Sequence, residues 1–470
     1  MRIIKLSELI HALKPFETGA FRDYLNSPFF NRNDRLPILF DLLSKDKSLS
    51  LENEKSLIYK QLFHGKRFND KELRYHFSDL NRQLEHFFTL AEIEKDDREF
   101  LLLTQRALLK RKTYKAYAHS RLRFNSLEKT ENAGLYLSSL LSAELHHSFN
   151  SASLSRLSDS DYESLLGNLD RFYIAKKLQL QCEIVNLKNI LRKEYESLLI
   201  NEIIELVIRK EFFGSAYIEI YYHILLMLTL HDQESEKHLI AVNELTEKHK
   251  DSFQIPDLNS IYQYVKNYCI RKINKGEDEY RLRLFGIYKS ILSNRRIMNH
   301  DYLSTFEFKN IVTLGLRLNE DKWVKEFIPK YINSIPPTDR KNALTYNSAM
   351  LNFFLKNYRQ VIKGLQEVEF TDLYYQMDSR SVLLKVYFET DDDETLLHHI
   401  AAFKIFIRRN KLLSDFQRTI YQNFIRYTLK IYRAGTRKAK LEQLRSEIIA
   451  TPNISDKNWL LSKIDDQLIS

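Results

Sequence analysis

The sequence predicts an all-α protein, a helical N-terminal domain followed by an irregular α-solenoid of helix pairs. Glycine and proline number only 10 and 8 in 470 residues, and these are the residues that loops and turns consume. No proline occurs between Pro37 and Pro256, so that stretch keeps its backbone donors and can stay helical with short connections. Apolar residues recur at helical spacing rather than in alternation, among abundant Leu, Lys, Glu and Arg, which favour helices by propensity.

The pattern divides into an N-terminal helical domain over 1–130, a long-helix region over 131–252 and a helical-repeat region over 253–470. Thr18 is the expected cap of a helix carrying Phe21, Tyr24 and Leu25, which ends before Pro28 because the residue preceding proline avoids the α region. Asn33 or Asp34 caps the next helix, with Pro37 in its tolerant first turn and Leu36, Leu39, Phe40 and Leu43 on its apolar face. Asp70 is the expected cap of a longer helix with Leu73, Phe77, Leu80, Leu84 and Phe87 inward. In the middle region Ser160 and Glu163 read as a capping box opening a very long helix, with a break near Gly214.

Further on, a theme repeats: an aromatic-rich helix, a short polar turn, then an amphipathic helix opening on a ring. The expected turn anchors are His238, Tyr280, Trp323 and Tyr358, with apolar partners four residues on at Val242, Leu284, Phe327 and Ile362. Their spacings of 42, 43 and 35 residues are helix-pair periods. A further unit turns between Asp391 and Glu394.

Two resemblances accompany this reading. Phe21, Tyr24, Leu25, Ser27, Pro28, Phe29, Phe30 and Asn31, with the later Tyr59, Leu62, Phe63, Gly65, Lys66 and Phe68, resemble a family of uncharacterised bacterial helical proteins over roughly the first ninety residues. That resemblance implies no activity. The units around Trp323 and Tyr358 resemble tetratricopeptide repeats, with Ala349 at the small position, Asn357 and Tyr358 at the interhelix turn, and Pro336–Pro337 at a repeat boundary. Val361 and Asn352 depart from that family's usual residues, so the resemblance implies architecture and no ligand.

Chemistry is sparse. No Gly-x-Gly pair, Gly-Lys-Ser/Thr or Gly-x-Ser-x-Gly motif is present, which argues against a phosphate cradle or a nucleophile elbow. Glu144 and His147 form a single Glu-x-x-His, where a bundle di-iron site needs two such motifs and two more glutamates. Glu394 with His398 and Glu219 with His223 read as ordinary helix-face pairs. Asp159, Asp161 and Glu163 read as helix-start carboxylates rather than a calcium loop. Cys182 and Cys269 sit in apolar helical sequence as buried thiols of a reducing compartment. No cofactor, metal or catalytic residue is therefore expected.

The longest apolar run, Ile218 to Leu230, contains Glu219 and His223 and is too short to cross a membrane, and Ser7, Glu8, His11 and Lys14 interrupt any apolar core after the basic start, so neither insertion nor a leader is expected and the location reads as cytoplasmic. The net charge of +10 is uneven. Phe100 to Leu127 holds seven basic residues and no acid, and Arg408 to Arg445 holds eleven against two. Projected at 100° per residue, Lys411, Arg418, Arg426, Lys430 and Arg433 share an arc of about 120°. Phe416, Ile420, Phe424, Tyr427 and Ile431 take the opposite, inward face. The expected function is a non-catalytic helical-repeat scaffold for a protein or peptide partner. The alternative is a nucleic-acid-associated protein that sets this basic face against phosphates.

Overall fold

The computed structural model describes residues 2–45, 55–127, 132–151, 158–191, 197–209, 214–300, 303–366 and 373–469. Among them are 24 α-helices and no strand. The chain divides into two compact units, Met1–Gln254 and Ile255–Ser470.

In the first unit α1 (Arg2–Ala12), α2 (Pro15–Asn26), α3 (Arg35–Lys45) and α4 (Lys55–Leu62) gather around α5 (Asp70–Lys95). Their core holds Phe21, Leu25, Leu36, Phe40, Tyr59, Leu73, Leu80 and Leu84. Helix α6 (Asp97–Lys110) pairs with α7 (Tyr114–Ser126) and leans on α8 (Ala133–Asn150). The 33-residue α9 (Asp159–Leu191) lies between α8 and α11 (Ala216–Thr229), with the short α10 (Ile200–Ile208) beside it. Helix α12 (Asp232–His249) folds back on α11.

The second unit is a stack of helix pairs, each packed on the pairs before and after it. The pairs are α13 (Ile255–Asn274) with α14 (Glu279–Ser293), and, after the short α15 (Arg295–His300), α16 (Thr305–Arg317) with α17 (Asp321–Tyr331). They continue with α18 (Arg340–Phe354) and α19 (Tyr358–Gln366), then α20 (Leu373–Glu389) and α21 (Asp393–Arg409). Helices α22 (Asp415–Ala434), α23 (Lys438–Ala450) and α24 (Lys457–Ile469) close the stack.

Five of the pairs turn in the same way. Lys112, Gly276, Asn319, Lys356 and Asp391 each adopt a left-handed φ between 52° and 95° just past the first helix. The next residue (Thr113, Glu277, Glu320, Asn357 or Asp392) donates its backbone N–H to a carbonyl five residues back, at 2.8 to 3.2 Å. This six-to-one bond satisfies a terminal carbonyl and reverses the chain in a few residues. Only one of the five left-handed positions is glycine, so turn composition alone conceals the motif. Ring packing then joins neighbours: Trp323 stacks on Phe327 at 5.0 Å and meets Phe285 edge-on at 4.9 Å. Gly315 lets α16 approach this corner, since a Cβ there would stand 2.6 Å from a Val324 methyl.

Helix α20 carries three charges on one face, at Asp378, Lys385 and Glu389, and all are paired. Asp378 bonds Lys309 and accepts the Tyr421 hydroxyl at 2.8 Å. Lys385, nearly buried, pairs with Asp456 at 2.6 Å among the rings of Phe353, Phe424 and Trp459. Glu389 accepts from the Tyr358 hydroxyl and from Trp459 Nε1 at 2.6 Å, with Lys463 at 3.3 Å.

Several expected starts move. Helix α2 begins at Pro15, where Glu17 reaches back to the Lys14 N–H, and Thr18 lies inside the first turn. Asn69, not Asp70, caps α5 by accepting from Lys71 and Glu72. Ser158 rather than Ser160 opens α9, and Asp161 accepts from its N–H and hydroxyl. In α5 the neighbouring Asn69 holds the terminal donors, while in α2 and α9 a carboxylate of the first turn, Glu17 or Asp161, reaches back to the N–H that precedes the helix. His238 lies well inside α12 rather than at a turn, and its Nδ1 sits 2.8 Å from His223 Nδ1 on α11. Burial, with the neighbouring His238, lowers the His223 pKa to about 4.

Three outcomes test this packing. Gly315→Ala should destabilise the fold by about 1–3 kcal/mol despite better helix propensity, because the added methyl overpacks against Val324. Adding Val324→Ala should restore part of that melting temperature. Glu389→Ala should cost about 3 kcal/mol in denaturant unfolding, since it leaves an indole N–H and a phenol without their acceptor and Lys463 with Asp466 alone. The folded His223 resists protonation that the unfolded chain accepts near pH 6.5, so stability should be full above that pH and fall as pH drops toward about 4. His223→Phe should flatten that slope in unfolding titrations between pH 7 and pH 5.

Candidate functional site

The expected basic stripe is redistributed by its neighbours. Helix α22 begins at Asp415, behind a capping box in which Ser414 accepts from the Gln417 N–H and Gln417 bonds the Ser414 N–H. Lys411 therefore lies in the α21–α22 turn and is not part of the helical projection. The signal for this was present as Ser414-x-x-Gln417. Arg418 turns back to α21 and donates to the carbonyls of Ile407 at 2.5 Å and Asn410 at 3.2 Å. It thus serves as a side-chain cap of the α21 C-terminus. Lys430 pairs with Glu447 of α23 at 2.7 Å. That hydrogen bond, aided by the charge of Arg426, holds the Glu447 carboxyl below its ordinary range. Arg426 and Arg433 remain exposed, Arg426 with its guanidinium 4.7 Å from the Tyr427 ring.

On the inward face Phe424, Tyr427 and Ile431 are buried and Ile420 is half-buried. Phe416 differs: it is 60% exposed. It stands in the first turn of α22, two turns before Phe424 meets Trp459 of α24 at 5.8 Å, and no ring comparable to Trp459 covers it among the described residues.

The structure brings together a set of cations that the sequence did not. Arg380 of α20, Arg409 at the end of α21 and Lys411 in the following turn line an open cleft of about 640 Å³ with Ala402, Ile405, Phe406 and Asn410. The Arg380 guanidinium lies 4.3 Å from the Phe406 ring centroid. Its Nε is buried and has no hydrogen-bond partner among the described residues, and desolvation lowers its pKa. No carboxylate lines the cleft or pairs with Arg380, Arg409 or Lys411 among the described residues. The negative end of the α21 dipole favours cations here, yet Arg418 already occupies its last carbonyls. The cleft is left with surplus positive charge beside an apolar wall, and Leu412 in the same turn is 84% exposed. Arg380 was invisible to the sequence reading because it lies about thirty residues from Arg409 and Lys411, on the antiparallel neighbour helix.

The other sequence candidates do not converge. Glu144, Glu394 and His398 are exposed, and His147 packs against Tyr162 at 4.9 Å. Asp159 and Asp161 occupy the first turn of α9. Cys182 and Cys269 are buried thiols, with Cys182 Sγ donating to the Tyr221 carbonyl at 3.3 Å. Among the described residues no three metal-ligating side chains meet, and no helix is long and apolar enough to cross a membrane.

A scan against protein-family models matched none, and searches of curated proteins and of solved structures likewise returned no match.

Proposed function

We propose that this chain is a non-catalytic helical-repeat scaffold whose C-terminal unit takes an acidic segment of a protein or peptide partner. The observation that carries the reading is the cleft between α20 and α21. Three cations surround a concavity with one apolar wall and no carboxylate. Alternating acidic and aliphatic side chains complement such a site, with carboxylates on Arg409 and Lys411 and an apolar group on Ile405 and Phe406. The stack of helix pairs supports the same reading, because it positions surfaces rigidly without assembling a catalytic constellation. The resemblance of the Trp323 and Tyr358 units to tetratricopeptide repeats points in the same direction. Binding a carboxylate also offsets the desolvation that the Arg380 guanidinium already bears.

Nucleic acid fits less well. A phosphate track needs a row of available cations, and within the expected row Arg418 and Lys430 are engaged on α21 carbonyls and on Glu447. Of the three that remain exposed, Lys411 belongs to the cleft, and Arg426 and Arg433 provide the control.

Fluorescence anisotropy with a labelled peptide of alternating glutamate and leucine should detect binding to the whole chain. Arg409→Glu with Lys411→Glu should weaken it at least tenfold, about 1.4 kcal/mol, with unchanged helicity because both side chains are exposed. Arg426→Glu with Arg433→Glu should leave it unaltered. No peptide binding, combined with salt-sensitive binding of mixed-sequence RNA lost in the Arg426/Arg433 variant, would replace this reading by the nucleic-acid one.

A further inference from the structure

Helix α9 is apolar on two faces, and among the described residues the unit buries only one of them. Ile174, Ala175, Leu178 and Cys182 are buried where α9 packs on α8 and α11. A second row is largely open: Leu166 is 59% exposed, Leu169 45%, Tyr173 43% and Leu180 43%, and Tyr162, whose ring edge meets His147 of α8, is still 46% exposed. With Lys176, these residues follow the alternating four- and three-residue steps of a coiled-coil seam. At 100° per residue all six fall within an arc of about 80°, along a row about 27 Å long. Scattered exposed leucines are ordinary on a protein surface; a continuous seam on a single long helix is not.

We infer that α9 pairs antiparallel with α9 of a second copy of this chain, about a two-fold axis level with Arg171. The seam is self-complementary in that register alone. Tyr162 meets Leu180 of the second copy, Leu166 meets Lys176, and Leu169 meets Tyr173, so every seam residue has a seam partner. The symmetric operator repeats each contact, as a closed two-fold interface requires. Lys176 lays its aliphatic stem across the opposing Leu166 and carries its ammonium to the edge.

Charge selects the same orientation. Along the flank of the seam Glu163 and Asp170 lie toward the N-terminus, and Lys177 lies toward the C-terminus with Lys176 nearby. Antiparallel pairing sets Lys177 within one helical turn of the second copy's Glu163. Parallel pairing would set Lys176 against Lys176 and acid against acid. A short isolated coiled coil is marginal because its helices must first form. Here α8 and α11 already hold α9 as a helix, so association does not bear that ordering cost. This inference concerns the N-terminal unit and stands apart from the α20–α21 cleft.

Sedimentation equilibrium of the full chain should show a dimer. Leu166→Glu with Leu169→Glu should raise the dissociation constant at least a hundredfold while circular dichroism stays unchanged. Glu163→Lys should weaken the dimer, and Glu163→Lys with Lys177→Glu should recover it. A Leu169→Cys chain mixed with a Tyr173→Cys chain should cross-link on mild oxidation, and neither should cross-link alone. A monomeric wild-type chain, or a dimer indifferent to Leu166 and Leu169, would overturn the inference. Self-cross-linking of the Leu169→Cys chain alone would overturn the antiparallel register.

Discussion

Lys385 places an ammonium among the rings of Phe353, Phe424 and Trp459, and the packing around α20 keeps that charge paired. An uncompensated cation at such a position costs several kcal/mol. Its counter-ion, Asp456, precedes α24, and the same terminal segment supplies Trp459 and Lys463 to Glu389. The last helix is therefore fixed in register against a helix about seventy residues earlier. With α24 placed, α22 is held between it and α21. That is why Arg418 falls on α21 carbonyls and Lys430 on Glu447 rather than both pointing to solvent.

The repeated six-to-one turn complements this long-range constraint with a local one. A left-handed residue followed by the closing N–H ends one helix and starts the next within a few residues. The two helices of a pair are then forced antiparallel. Pairs built this way bury their apolar faces only against adjacent pairs, so each addition leaves an outer surface whose chemistry the fold does not dictate. Two surfaces stand out for different reasons, one on a helix pair of this kind and one on α9. The α20–α21 cleft is charged and concave, which suits an extended acidic segment. The outer row of α9 is apolar and linear, which suits another helix. The proposed partner docking and the inferred pairing of copies use separate surfaces, and neither requires the other.

The sequence by itself determined the all-helical class, the amphipathic faces and the turn at Asp391, though Asp393 and Glu394 already begin α21, because these follow from local periodicity and propensity. It placed Phe21, Leu36, Phe40, Leu73 and Leu80 in the core for the same reason. It located helix starts only within a residue or a turn, since neighbouring polar side chains such as Asn69 and Asp70 compete for the same donors. Tertiary structure alone decided which cations remain available. A helical projection assigns Arg418 and Arg426 to one face, yet only contact with the α21 carbonyls separates a cap from an exposed charge. Tertiary structure also joined Arg380 to Arg409 and Lys411 across two antiparallel helices, a proximity that linear spacing does not encode. The seam of α9 was spelled out in the spacing of Tyr162, Leu166, Leu169, Tyr173 and Leu180. A buried face and an unpartnered one have the same period, however, and only the positions of α8 and α11 distinguish them.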